Sequence, residues 1–207
     1  MDLLLIRHGQ ADTGGRLAGR VDYRLSEEGR RQARLLADGL AGRGIGCLLS
    51  SPLSRALDTA RIVGERIELE PIVLPELIER HGGVFCGLTR EEAAARYPQE
   101  WEWAESHPLD ATPGGESYAD VAERAHRAVE IILRDHNHHV VAAVSHSGFL
   151  NVLLFELLGH DYSRYGTDDF HFSPAGISLL SVTGTDRTLR YANRTDHLAG
   201  VKVPKSI

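Results

Sequence analysis

Two histidines in the sequence each follow a short apolar run. The apolar residues 3–6 lead into Arg7-His8-Gly9, and residues 140–144 lead into Ser145-His146-Ser147-Gly148. Each run predicts a buried strand with a histidine at its carboxyl end. Because open α/β sheets bind ligands outside the carboxyl ends of their strands, histidines that are distant in sequence can face each other there. Two histidines placed in this way predict covalent phosphoryl chemistry.

The cationic residues near these histidines suit the dianion of a phosphomonoester. Arg7 precedes His8, and Arg55 stands at the start of a predicted helix. Their planar guanidinium groups can bind phosphate oxygens in pairs, and His146 can add another donor. Nearby arginines oppose protonation of the His8 imidazole, which keeps this nucleophile neutral near neutral pH. The scheme needs no metal ion and no cofactor, but the alkoxide leaving group needs a proton from a nearby carboxylic acid.

The elements that must position these residues follow an α/β pattern. Further strands are predicted at residues 47–50 and 72–74, and an antiparallel hairpin pairs residues 177–182 with 188–191. Helices are predicted from an N-cap at Ser26 to a stop at Gly42, and at about 53–66, 90–97, 98–106, 117–135 and 149–158. We expect a single domain over residues 1–207. Its less regular segment, at about 68–113, is interpreted as an insertion that caps the site.

The composition excludes several classes of protein. A length of 207 residues with 42% hydrophobic and 25% charged residues predicts a folded globular chain. The formal net charge of -6 offers no broad basic surface for nucleic acid or an anionic membrane. Two cysteines without disulfide or zinc spacing, and no signal or transmembrane segment, favour the cytoplasm. We expect a monomer or homodimer that acts on a small phosphorylated metabolite.

Several short motifs occur together in a characteristic order and spacing. They are Arg7–Ala11, Leu25–Gly29, Ser51–Ala56, Glu79–Gly83, Pro113–Ser117 and Ser145–Gly148. Together they resemble the histidine phosphatase superfamily, which includes cofactor-dependent phosphoglycerate mutases and many phosphatases. The resemblance covers nearly all of the chain. It implies the phosphoglycerate mutase-like fold, a three-layer α/β/α sandwich with a mostly parallel central sheet.

The resemblance also implies roles for individual residues. His8 becomes phosphorylated, and Arg7, Arg55 and His146 bind the phosphoryl group. Glu79 serves first as the acid and later as the base. Glu76 flanks the same loop, but the register of the motif favours Glu79.

Substrate contacts are expected from the loop after the first strand and from the second histidine turn. The candidates are Gln10, Arg16, Gly19 and Ser147. For Arg16, a solvated surface role is an equal alternative.

The chain departs from the sequence pattern of this family at three positions. Gly14 stands where many members have asparagine, and Ala18 lies where the mutases often carry a threonine. Cys86 replaces an acidic residue or glutamine. These departures bear on the choice of substrate.

Hydrolysis is the favoured function, with mutase activity as the alternative. A mutase must hold a second phosphate, yet the only cations between Leu88 and Pro113 are Arg90 and Arg96. A non-catalytic module that binds a phosphorylated ligand is a third possibility. A serine hydrolase is excluded because Ser145 and Phe149 occupy the places where the nucleophile motif around Ser147 needs glycine.

Two further groups of residues invite a functional interpretation that we do not favour. His136, His138 and His139 are interpreted as a polar turn rather than a metal site. Trp101 and Trp103 are expected to anchor the capping segment to the core.

Overall fold

The computed structural model describes residues 1–136, 138–160 and 170–199. The strands are β1 (Asp2–Arg7), β2 (Cys47–Ser50), β3 (Ile72–Val73), β4 (Val140–Ser145), β5 (Ile177–Thr183) and β6 (Asp186–Arg194). The helices are α1 (Glu27–Leu40), α2 (Ser54–Ile67), α3 (Arg90–Arg96), α4 (Pro98–Ser106), α5 (Tyr118–Asp135) and α6 (Ser147–Leu158). Short 3-10 turns occur at Pro75–Leu77, Gly83–Phe85 and Asp196–Leu198.

The strands form one sheet in the order β3-β2-β4-β1-β5-β6. β3, β2, β4 and β1 run parallel to one another, whereas β5 is antiparallel to β1 and β6 is antiparallel to β5. β1 and β4 are adjacent, and Arg7 pairs with Ser145 at their carboxyl ends. The register therefore brings the residues that follow these two strands, His8 and His146, to the same edge of the sheet.

Helices cover both faces of the sheet. Leu3 and Leu5 of β1 belong to a core cluster with buried residues of α5 and α6, among them Val121 and Phe149. The alternate residues Leu4 and Ile6 belong to a second cluster that includes residues of α1 and α2. Because successive side chains of a strand point to opposite faces, a continuous apolar run can serve both layers. The predicted three-layer α/β/α sandwich with a mostly parallel sheet is confirmed.

A close backbone contact joins the loop after β1 to α1. Ser26 caps α1, since its side chain accepts a hydrogen bond from the Gly29 N–H at 3.0 Å. A Cβ atom at Gly9 would lie 2.4 Å from the Gly29 carbonyl oxygen, and one at Gly29 would lie 2.0 Å from the Gln10 carbonyl oxygen. Only glycine fits at these two positions, so the segment that bears His8 rests directly on the helix backbone.

The segment between β3 and α5 contains two 3-10 turns and the short helices α3 and α4. Backbone hydrogen bonds tie it to the loop after β1, from the Leu17 N–H to the Leu88 carbonyl and from the Gly87 N–H to the Leu17 carbonyl, both 2.8 Å. Trp101 packs edge-on against the buried Phe85. The expectation that Trp103 anchors this segment to the core is wrong. Its ring is 50% exposed and stacks on His107 of the same segment.

The helix after the second histidine starts earlier than predicted. α6 begins at Ser147 rather than Phe149, because the Leu150 N–H already bonds to the His146 carbonyl at 2.8 Å. This shift places Ser147 and Gly148 in the first turn of the helix. Within the described residues, no helix combines the length and the apolar character needed to cross a bilayer.

Candidate active site

His8 lies directly after β1 and is only 7% exposed. Its ring Nδ1 lies 2.5 Å from the Gly9 carbonyl oxygen. Because that oxygen can only accept, Nδ1 carries the proton and Nε2 carries the lone pair. Burial, reinforced by the charges of Arg7 and Arg55, holds the pKa of His8 well below its ordinary value of 6.5. The ring is therefore neutral at neutral pH, with Nε2 as its nucleophilic nitrogen.

Arg55 connects both histidines to the loop after β1. It lies in the first turn of α2 and is 1% exposed. Its Nε is 3.3 Å from His8 Nε2 and 3.2 Å from His146 Nδ1. Its terminal nitrogens donate to the carbonyl oxygens of Val21 at 2.9 Å and Gly19 at 2.7 Å. One guanidinium group thus fixes the position of the loop relative to the two rings.

His146 is fully buried beside His8. Its Nδ1 faces the Arg55 Nε–H, so Nδ1 carries the lone pair, and Nε2 donates to the Ser51 hydroxyl at 2.7 Å. Burial and the neighbouring His8 and Arg55 hold the pKa of His146 well below 6.5. The ring is therefore neutral at neutral pH, and its one N–H already has a partner in Ser51.

Glu79 lies against the first turn of α6. One carboxylate oxygen accepts from the N–H groups of Phe149 at 2.8 Å and Arg80 at 2.9 Å, and the other accepts from the Gly148 N–H at 3.3 Å. The N-terminus of a helix stabilises a carboxylate in this position. A Cβ atom at residue 148 would lie 2.8 Å from Glu79 Oε1. Glycine at this position therefore allows the close approach of the carboxylate.

These side chains surround a cavity of about 640 Å³ at the carboxyl edge of the sheet. The predicted site residues that line it are Arg7, His8, Gln10, Arg16, Gly19, Arg55, Glu79 and Ser147. Arg7 is held at the cavity wall because its Nη1 donates to the Phe172 carbonyl oxygen. His146 is absent from the lining and lies behind His8 and Arg55.

The residues proposed as substrate contacts differ in their surroundings. Ser147 lines the cavity as the first residue of α6. Gly19 directs its carbonyl oxygen to Arg55 rather than to the cavity. The backbone of Gln10 is bound to α1, because its N–H donates to Gln32 Oε1 at 2.8 Å.

Arg16 is held by the segment between β3 and α5. Its guanidinium forms an ion pair with Glu92 and donates to the Gly87 carbonyl oxygen at 2.9 Å. These contacts join the loop after β1 to α3, so they give Arg16 a structural role at the rim of the cavity.

A charged network that the sequence did not indicate holds the Glu79 segment in place. Glu116 accepts from Arg20 at 2.6 Å, from Arg124 at 3.0 Å and from the His81 N–H at 3.0 Å. Arg20 in turn donates to the Glu79 carbonyl oxygen at 2.8 Å. Although burial raises the pKa of Glu116, the hydrogen bond from His81 and the two arginines outweigh it and lower that pKa. The only signal in the sequence was the Pro113–Ser117 motif, which carried no assigned role.

A second cavity of about 500 Å³ adjoins the first. The two share lining residues, which are Leu17, Ala18, Gly19, Glu79 and Arg90. Phe85, Trp101 and Tyr118 form its aromatic walls. Two of the departures from the family pattern, Ala18 and Cys86, also line this second cavity, whereas Gly14 lines neither.

The histidines between α5 and β4 lie at the other end of the sheet. His138 and His139 are exposed, and His136 Nδ1 lies 3.6 Å from the Cys47 sulfur. In the part of the chain that the structure describes, no group of three or more His, Cys, Asp or Glu side chains could hold a metal ion.

A neutral histidine, two guanidinium groups and a carboxylate at the carboxyl edge of a mostly parallel sheet define a phosphoryl-transfer site. The chain belongs to the histidine phosphatase superfamily (branch 1), whose family model matches residues 3–195. This membership confirms the predicted phosphoglycerate mutase-like fold and the predicted enzyme class, a phosphoric monoester hydrolase.

Two curated relatives match nearly the whole chain, and one of them is named a phosphatase. The chain is 32% identical to phosphoserine phosphatase 1 of Hydrogenobacter thermophilus over 199 residues, which are 95% of this chain and 93% of that protein. It is 38% identical over 201 residues to a bifunctional protein of Mycobacterium tuberculosis, of which it spans about half, 54%.

Solved structures agree with this assignment. The alpha-ribazole phosphatase from Shigella flexneri has a TM-score of 0.86 and 25% identity, over 94% of this chain and 96% of that one. A mycobacterial glucosyl-3-phosphoglycerate phosphatase, solved with inorganic phosphate, has a TM-score of 0.81 and 31% identity, over 96% of this chain and 99% of that one. The predicted class, a small-molecule phosphatase, is confirmed.

Proposed function

We propose that this enzyme hydrolyses phosphomonoesters of small molecules through a phosphohistidine at His8. The observation that carries the proposal is the position of His8: its Nδ1 lies 2.5 Å from the Gly9 carbonyl oxygen, and its Nε2 lies 3.3 Å from Arg55 Nε in a cavity that Arg7 and Glu79 also line. A neutral nucleophile among cationic groups suits a dianionic substrate.

In the first step, His8 Nε2 attacks phosphorus and the bond from phosphorus to the leaving oxygen breaks. Glu79 donates its proton to that oxygen, so the alcohol leaves neutral. Arg7 and Arg55 neutralise the charge on the phosphoryl oxygens. The step yields the free alcohol, phospho-His8 and the Glu79 carboxylate.

In the second step, water attacks the phosphorus of phospho-His8. The Glu79 carboxylate takes a proton from this water, and the bond from His8 Nε2 to phosphorus breaks. Inorganic phosphate leaves, and His8 and protonated Glu79 are restored.

His146 contributes through a change of tautomer. The Ser51 hydroxyl accepts from His146 Nε2 in the structure, but a hydroxyl can donate as well. In the other tautomer of the ring, Nε2 has lost a proton to water, Nδ1 has gained one from water, and the Ser51 hydroxyl donates to Nε2. His146 Nδ1 then donates to the phosphoryl group, which is the role that the family resemblance implies.

The relatives support the substrate size. Their names specify phosphoserine, glucosyl-3-phosphoglycerate and alpha-ribazole as the phosphorylated compounds, which are all small molecules. For this chain we propose that residues 68–113 form the cap that admits the leaving group. The two cysteines are free thiols, which supports action in a reducing cytoplasm.

The test combines burst kinetics with covalent labelling. With p-nitrophenyl phosphate, wild-type enzyme is expected to release a burst of nitrophenol and to trap an acid-labile phosphate on His8. His8→Ala is expected to abolish the label and to lower turnover by about four orders of magnitude. His126→Ala, which changes an exposed histidine of α5, is the matched control. Unchanged turnover in His8→Ala, or a label on another residue, would contradict the mechanism.

A further inference from the structure

The position of Glu79 fixes where the leaving group must lie. Glu79 lines both cavities, and Gly148, against which its carboxylate rests, lines the second one. In the proposed function Glu79 protonates the leaving oxygen, while His8 attacks from the first cavity. The body of the alcohol therefore extends from Glu79 into the second cavity.

The aromatic walls of the second cavity are held in fixed positions. Phe85 is 6% exposed and meets Trp101 edge-on, with ring centroids 5.3 Å apart. Arg80 lies 4.2 Å from the Tyr118 ring centroid and donates to the Asp110 carbonyl oxygen at 2.8 Å. Arg90 lies 5.9 Å from the Trp101 ring centroid, so a guanidinium group lies over each of these two rings. A flat ring can stack on such aromatic and guanidinium surfaces, and it loses little freedom in doing so.

The size of this cavity exceeds what a small alcohol can fill. Its volume of about 500 Å³ falls within the range for drug-sized ligands, roughly 300–1,000 Å³. Glycerol or serine would leave most of the aromatic surface in contact with water. At its rim, Thr112 and Asp110 offer groups that can hydrogen-bond to hydroxyl groups or ring nitrogens.

We propose that the preferred substrates are monophosphates whose leaving alcohol carries a flat aromatic ring, as in a nucleoside, and that Trp101 selects them. This inference rests on the proposed function. It goes further, because it names Trp101 as the specificity residue and excludes small polar alcohols as the preferred leaving groups.

The test compares two esters with chemically similar leaving oxygens. Adenosine 5′-monophosphate and glycerol 3-phosphate both release a primary alcohol, so a difference in kcat/KM reports on recognition of the ring. We expect the wild type to favour the nucleotide by roughly tenfold or more. Trp101→Ala should lower kcat/KM for the nucleotide more than for glycerol 3-phosphate and so bring the two values near parity, while Trp101→Phe should keep part of the preference.

Trp103→Ala is the matched control. Trp103 lies two residues away on α4, is 50% exposed and lines neither cavity. Its replacement should leave both kcat/KM values unchanged. A wild type without preference for the nucleotide, or equal losses on both esters in Trp101→Ala, would overturn the proposal. If the folded wild type hydrolyses neither of these two esters nor p-nitrophenyl phosphate, the proposed function itself is overturned.

Discussion

The rings of His8 and His146 lie with their centroids 5.0 Å apart and their planes tilted by 60°. Both rings turn a nitrogen lone pair towards Arg55 Nε, so one N–H serves two acceptors. Burial and the nearby arginine charges lower the pKa of both rings and keep both imidazoles neutral at neutral pH. In the proposed mechanism, a phosphate oxygen competes with both rings for the Arg55 N–H, which leaves the lone pair of His8 Nε2 available for attack.

Replacement of Arg55 by lysine tests whether charge alone is sufficient at this position. Arg55→Lys keeps the positive charge but loses the donors to the carbonyls of Gly19 and Val21. We expect kcat/KM to fall on the order of a hundredfold. The free energy of unfolding should fall by about 1–3 kcal/mol, because two carbonyl groups lose their donor. Steady-state kinetics and denaturant unfolding measure the two effects.

Arg61→Lys is the control for this prediction. Arg61 lies on the same helix, and its side chain is 61% exposed. Its replacement should alter neither quantity. Equal activity of the Arg55→Lys enzyme and the wild type would show that the fork geometry of Arg55 is dispensable.

Replacement of Glu79 by glutamine separates acid catalysis from binding. Glu79→Gln cannot donate the proton that an alkoxide needs, whereas a dinitrophenolate leaves without one. We expect kcat for an alkyl phosphate to fall by about 10²–10⁴-fold, with much less change for 2,4-dinitrophenyl phosphate. Glu76→Gln, three residues earlier and outside both cavities, should behave as wild type. Parallel losses on the two esters would rule out Glu79 as the acid.

We expect Glu116 to affect the protonation of the leaving group, because it helps to position Glu79. Glu116→Gln weakens the ion pairs to Arg20 and Arg124, so the Glu79 segment loses part of its support. We expect the alkyl ester to lose about tenfold in kcat. The dinitrophenyl ester should lose much less, a contrast that general destabilisation would not produce. Glu123→Gln, on the exposed side of α5, is the matched control. An identical effect on both esters would mean that Glu116 only stabilises the fold and does not position Glu79 for proton transfer.

The buried histidines predict how stability changes with pH. Their pKa values are lowered by burial in the folded state, whereas in the unfolded chain they titrate near pH 6.5. Just below pH 6.5 the unfolded state binds more protons, so stability falls as the pH falls. From pH 7.5 to 5.5 we expect a loss on the order of 1 kcal/mol for each ring. Denaturant unfolding at the two pH values measures the loss.

Two variants assign this pH dependence to the site. His8→Gln should reduce the loss between pH 7.5 and 5.5. His126→Gln should enlarge it, because the hydrogen bond to Glu156 raises the pKa of this exposed histidine and stabilises the folded state at low pH. An unchanged loss in His8→Gln would mean that other groups control stability in this range.

The sequence predicted the sheet and the catalytic edge because both depend on local patterns. The apolar runs before His8 and His146 indicated buried strands that end in histidines, and the family resemblance implied that Arg55 lies near them. The adjacency of the two strands is seen only in the folded sheet. The start of α6 was missed by two residues, since Ser147 and Gly148 have weak helical preference. Their place in the helix is fixed by Glu79, which accepts from the N–H groups of its first turn.

The charged network and the second cavity could not be predicted in this way. Arg20 and Glu116 are 96 positions apart in sequence and meet only in the folded chain. Trp101 and Trp103 are equivalent by composition, yet one lines a cavity and the other faces solvent. Such differences depend on how α4 is oriented, which local periodicity does not encode.

The contact between Glu79 and Gly148 links the position of the Glu79 carboxylate to the position of His146. His146 immediately precedes α6, and Glu79 is hydrogen-bonded to the first turn of that same helix. Glu79, the proposed proton donor, and the buried His146 imidazole are therefore both positioned by this helix, although they come from different parts of the chain. Neither α3 nor α4 takes part in these hydrogen bonds, so the position of Glu79 relative to His146 does not depend on them. In the proposed mechanism, the helix therefore keeps the two groups aligned from one catalytic cycle to the next.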